Sequence, residues 1–137
     1  YDVDPYILGV LIGDGSLTGN VAIFSNPDVD SQIASNVERL LPNGYSLSKN
    51  DAPQCPQYGI ILSGNGEGYI QRIKRLGLNV HSTEKFIPDC YKLGSHQQRI
   101  SLLRGLWTQM DVTIKNRVVF LLQVRILLMM WWSLLTL

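Results

Sequence analysis

Residues 5–17 read PYILGVLIGDGSL, and the fold turns on how this stretch is read. Pro5 sits where a helix can begin at no cost, because the first-turn amide it removes has no helical partner. Tyr6 to Ile12 are apolar, and a short helix is expected. Gly13-Asp14-Gly15 should end it, since glycine tolerates the backbone needed there. One small residue, Gly9, interrupts the apolar surface, and one acid, Asp14, closes it.

Outward from this helix, Asn20 to Ser25 alternates and carries β-branched residues, which predicts a strand. Asn26-Pro27 reads as an N-cap and first helical position. Val29, Ile33, Val37 and Leu40-Leu41 follow at helical spacing up to Pro42-Asn43-Gly44. Tyr45 to Lys49 and Gln57 to Leu62 predict a hairpin around a loop of turn formers, Asn50 to Pro56. Tyr69 to Leu76 reads as a helix with Ile70, Ile73 and Leu76 inward. Ser95-His96-Gln97-Gln98 has the form of a capping box opening a last helix, with Ile100, Leu103 and Leu106 on one stripe.

Bulk composition bounds the answer. The chain has 137 residues, 45% hydrophobic and 17% charged, which suits one domain with one core and excludes disorder. A net charge of +1 gives no global signature of nucleic-acid binding, so any such binding must come from local patches. Cys55 and Cys90 form no disulfide framework and no metal spacing, as in a reduced cytoplasmic protein. The opening YDVDPY has neither an initiator Met nor a leader pattern and reads as the interior of a longer protein.

Several of these segments resemble the LAGLIDADG homing endonucleases of the intein type. Ile7 to Gly15 overlays the nine-letter signature helix, with Gly9, Asp14 and Gly15 at its most telling places. Glu84 to Gly105 (EKFIPDCYKLGSHQQRISLLRG) is similar to the segment that leads into the second signature helix, and the resemblance runs in order over residues 3–106. It implies an α+β fold, a half-domain in the order helix–strand–helix–strand–strand–helix, with a saddle-shaped antiparallel sheet facing DNA and two signature helices side by side. It implies site-specific hydrolysis of double-stranded DNA with Mg²⁺. Gly9 would let the helices approach, and Asp14 would be a catalytic metal ligand sharing the cation with a second acid. Lys85 would be a second catalytic residue near the metal, polarising water or balancing phosphate charge. Lys49, Arg72, Lys74 and Arg75 are the candidate phosphate contacts. Of Ser46, Ser48, Gln57 and Tyr58, those facing bases depend on a register that sequence does not fix. His81 and His96 are read as structural, and Gly64 to Gly68 lacks the Lys-Ser/Thr ending of a phosphate loop.

The pattern breaks after Leu106. The family expects an Asp-x-Asp-Gly ending, but Leu106 is followed by WTQMD, with Met110 at the second acid's position and Asp111 at the glycine's. One base lost in the codon of Leu106 explains this. The single codons of Trp107 and Met110 then force, in the neighbouring frame, Met, Leu or Val, then Asp, any residue, Asn or Asp, and Gly. Residues 1–106 are accordingly read as the first half-domain plus the start of the second signature helix, and 107–137 as a frameshifted tail with no native fold. Val118 to Leu137 is long enough to span a membrane, but Arg125 in its middle costs about 2.5–3.5 kcal/mol on insertion scales, so no membrane anchor is expected. With one acid missing, the chain is expected to be an endonuclease by family and inactive as written. The alternatives are a nuclease-dead DNA-binding module of the same fold and an intron-encoded endonuclease or maturase. Host extein flanks are the other expected partner.

Overall fold

The computed structural model describes residues 3–25, 32–50, 56–80 and 87–113, with the backbone alone for Asp14, Lys92 and residues 107–113. The elements are α1 (Pro5–Asp14), β1 (Gly15–Ser16), β2 (Ile23–Ser25), α2 (Gln32–Leu40), β3 (Tyr45–Asn50), β4 (Gln57–Leu62), α3 (Tyr69–Arg75), α4 (Asp89–Lys92) and α5 (His96–Thr113). The class is α+β, with one antiparallel sheet in the order β1-β2-β4-β3.

The strand expected over 20–25 shortens to Ile23–Ser25, while β1 and the single turn α4 have no counterpart in the sequence reading. The helix start at Asn26-Pro27 lies outside the described residues. The stretch 107–113, assigned above to the tail, continues α5 as helix to Thr113. Among the described residues, no helix is long and apolar enough to cross a membrane.

Helix α1 starts on Asp4, whose carboxylate accepts from the amides of Tyr6 (2.9 Å) and Ile7 (3.4 Å), satisfying donors that the helix leaves open. It runs through Gly13 to Asp14, further than the glycines suggest. Burial explains this: Ile7, Leu8, Val10, Leu11 and Ile12 are all at most 2% exposed, so the helix is enclosed on every side and packing overrides propensity. The sheet covers one side of it through Ala22, Phe24 and Ile60. Helix α2 contributes Ile33 and Val37, and α3 contributes Tyr69, Ile70 and Ile73. Helix α3 stops at Gly77, where a left-handed backbone (φ 76°) lets the amides of Gly77 and Leu78 reach back to the carbonyls of Lys74 and Ile73.

Helix α5 covers the other side of α1. Its start is the reciprocal cap expected: the Gln98 amide donates to Ser95 Oγ (3.2 Å), and the Ser95 amide donates to Gln98 Oε1 (2.9 Å). Its buried face differs from the expected stripe. Arg99, Leu102, Gly105 and Leu106 are buried, whereas Ile100 and Leu103 are half-buried. The helix is turned so that its one glycine meets α1. A Cβ on Gly105 would fall on the Tyr6 carbonyl, and a Cβ on Gly9 would fall on the Leu102 carbonyl. A second long-range tie holds the entry to α1. The buried Tyr91 hydroxyl donates to the Val3 carbonyl (2.6 Å), and the Val3 amide donates back to it (3.3 Å).

Gly9→Ala and Gly105→Ala should each force two helix backbones apart. Overpacking of this kind costs about 1–3 kcal/mol or more, against a helix-propensity gain of about 1 kcal/mol. Each variant should therefore unfold at lower urea. Gly19→Ala, where an added Cβ meets nothing within 4 Å, should stay within about 0.5 kcal/mol of the parent. Equal stability of the Gly105 variant and the parent would contradict the close crossing.

Candidate functional site

The crossing of α1 and α5 carries its own symmetry. A Cβ on Gly9 would lie 2.9 Å from the Leu106 amide nitrogen and 3.0 Å from Gly105 Cα. A Cβ on Gly105 would lie 2.8 Å from the Val10 amide nitrogen and 3.0 Å from Gly9 Cα. Tyr6, Gly9 and Val10 thus stand to Leu102, Gly105 and Leu106 as those stand to them, about a local twofold axis. Each Cα–Cβ bond leans toward the N-terminus of its own helix. The chain entering each helix is tied to the other, since the Tyr91 hydroxyl shortly before α5 bonds both the amide and the carbonyl of Val3 just before α1, so the two N-termini lie together. The helices therefore cross parallel, and their C-terminal ends share one foot.

The constant offset of 96 residues that pairs Gly9 with Gly105 pairs position 14 with position 110. At 1.5 Å per residue, both lie about 7.5 Å along their helices beyond the crossing. This register comes from backbone contact alone and places Asp14 and Met110 at equivalent places. The residues present do not fit a shared two-carboxylate metal site. A hard cation such as Mg²⁺ takes oxygen ligands, and position 110 offers a soft thioether. Among the described residues, no three His, Cys, Asp or Glu side chains gather. Lys85 lies outside the described residues, as do His81 and Cys55. His96 is exposed as the first residue of α5, and Cys90 is exposed on α4.

Strand register now separates the two faces of the sheet. Directly opposed residues share a face, and the face alternates along each strand. Phe24, Tyr58 and Lys49 form one cross-strand row, and Ile60 and Leu47 form another on the same helix-covered side. Phe24 and Tyr58 stack there, with centroids 5.6 Å apart. The opposite, open face carries Ser16, Ile23, Ser25, Ser46, Ser48, Asn50, Gln57, Gly59 and Ile61. Of the four residues whose orientation sequence left undecided, Ser46, Ser48 and Gln57 are on the open face and Tyr58 is not. No Lys or Arg falls on the open face among the paired strand residues.

The four candidate phosphate contacts sit on the helix side instead. Lys49 is exposed in the row of Tyr58. Arg72 is half-buried, its guanidinium carbon 5.3 Å from the centroid of the Tyr45 ring and 5.6 Å from that of Tyr69. The two rings meet edge to face at 5.3 Å, and the Tyr45 hydroxyl donates to the Glu67 carbonyl. Arg75 pairs with Glu67 at an exposed position, worth little in water, and Lys74 is exposed. Sequence reasoning missed this cluster because Tyr45 lies 24 residues before Tyr69. It also did not name Gly105 as the partner of Gly9, for which a single glycine inside each expected signature helix was an available signal.

Burial pushes the Tyr69 phenol well up from its ordinary value of 10.0, with the Asp4 backbone and then the Arg72 charge opposing that rise too weakly to cancel it. In the folded chain the proton is therefore kept at pH values where the unfolded chain has lost it. Its stabilising effect should be complete below about pH 10 and fall above that by up to about 1.4 kcal/mol per pH unit. Urea melts of the parent and Tyr69→Phe should differ by a constant amount to about pH 9, and the parent should lose stability relative to the variant as pH rises further. A pH-independent gap would show that the phenol titrates alike in both states.

Compared with known protein families, characterised proteins and solved structures, the chain matches none.

Proposed function

We propose that this chain is part of a LAGLIDADG-type homing endonuclease domain, of the kind embedded in inteins, that has lost the ability to cut. The observation that carries the reading is the parallel glycine-to-glycine crossing of α1 and α5 with positions 14 and 110 in register at its foot. That is the arrangement the resemblance calls for, two signature helices meeting over a paired acid site. An antiparallel sheet with one open face lies beside the same seam, as a DNA-facing sheet would.

The partner is double-stranded DNA, met by the open face in the major groove, which is wide enough for a β-ribbon. Hydrolysis would need Mg²⁺ shared by two acids. Asp14 is one, and Met110 removes the other, so this chain binds without cutting. The second reading, a nuclease-dead DNA-binding module, shares the surface and differs in history. Met110 favours it for the chain as it stands, and Asp14 favours descent from an active enzyme. The cytoplasm and flanking extein partners belong to the intein reading.

The test is DNA binding and cleavage by the full chain. A randomised duplex pool at low salt should yield a bound fraction, and supercoiled plasmid should stay uncut with Mg²⁺. An open face without cations releases few counterions, so log affinity against log salt should have a slope shallower than about −3, the value for three or four phosphate contacts. Mg²⁺-dependent nicking by the parent chain would overturn the inactive reading, and no duplex binding at any salt would overturn the family reading.

A further inference from the structure

Helices α1 and α5 are equivalent around their crossing and part at its foot. After Asp14 the chain leaves α1 through Gly15, at φ −88° and ψ 149°, and enters β1, while the Gly15 amide still donates to the Leu11 carbonyl. That exit is closed to any residue with a side chain. A Cβ on Gly15 would fall on the Leu11 carbonyl oxygen and lie 2.8 Å from Leu11 Cα, both of them backbone atoms that cannot give way cheaply. The backbone angles themselves are ordinary, so the restriction comes from contact and not from glycine's conformational freedom.

The offset that pairs Gly9 with Gly105 pairs Gly15 with Asp111 and Leu11 with Trp107. An exit of the same geometry from α5 would need a residue without a Cβ at position 111. Helix α5 does not take the exit and runs on to Thr113. We infer that Asp111 is what denies α5 the sheet-ward exit that Gly15 gives α1, and that the foot of the seam is therefore asymmetric in backbone as well as in its acids. A carboxylate restored at position 110 alone would sit on a continuing helix, whereas Asp14 sits on a helix's last residue. This second consequence rests on the proposed endonuclease reading, and the first does not.

Two readouts on the full chain separate them. Backbone carbon chemical shifts should turn from helical to extended at residues 111–113 in Asp111→Gly. They should stay helical at 111 in Val112→Gly, which carries the same intrinsic glycine penalty one residue on. Helical shifts at 111–113 in Asp111→Gly would overturn the assignment. Mg²⁺ titration by calorimetry should give the double variant Met110→Asp/Asp111→Gly at least tenfold tighter binding than Met110→Asp alone. Equal affinity of the two would overturn the need for the exit. An exit restored in the double variant with no Mg²⁺ binding would uphold the role of Asp111 and overturn the endonuclease reading instead.

Discussion

Two glycines, 96 residues apart, let two helices touch backbone to backbone, and most of the molecule follows from that contact. A side chain on either one would meet the partner's carbonyl oxygen. The crossing therefore fixes both the distance between α1 and α5 and their register, leaving no slack for sliding. Because α1 is apolar on all sides, it has to be enclosed. Helix α5 takes the side marked by Gly9, and the sheet with α2 and α3 takes the rest. The Tyr91 hydroxyl, bonded to both the amide and the carbonyl of Val3, ties the entry of α1 to the chain just before α5. The two segments are thus joined at the entry and at the crossing, and their feet are left to differ.

The same enclosure decides how charge is distributed. A sheet with one face against a helical layer has only its other face for partners. Here that face is built of hydroxyls, amides, a glycine and two isoleucines. The basic side chains stand on the helix side, where Arg72 serves packing by lying against Tyr45 and Tyr69. On the DNA-binding reading proposed above, a duplex on the open face would meet hydrogen-bonding groups that can discriminate base edges but little of the ionic attraction that dominates most DNA affinity.

Much of this was legible in the sequence, for local reasons. The Ser95–Gln98 box, the Pro5 start and the β3–β4 hairpin are each written in neighbouring residues, and each formed where expected. What was not legible depends on distant residues. The buried stripe of α5 was misplaced because apolarity alone picks Ile100 and Leu103, whereas the contact is chosen by Gly105, whose virtue is having nothing to bury. Helix α1 was cut short at Gly13 because propensity does not know that its surroundings hold it. The candidate site was half legible: the resemblance already set Met110 opposite Asp14, and the crossing gives the same pairing from backbone contact alone. The sheet face of Ser46, Ser48 and Gln57 needed the strand register.

The two departures at the foot bear on how the chain came to be as it is. In a seam with twofold symmetry, abolishing a shared metal site requires one change, at either acid. Here positions 110 and 111 both differ from their equivalents Asp14 and Gly15, while Gly105 and Leu106, about one turn earlier, keep the crossing intact. On the endonuclease reading proposed above, a single lost base in the codon of Leu106 would account for both changes at once, along with the apolar run from Val118 to Leu137, and would place the break after the last residue that takes part in the crossing. On that same reading, the symmetric seam would be the inherited part and the asymmetric foot the altered one, with Asp14 and Gly15 standing for what positions 110 and 111 would have held.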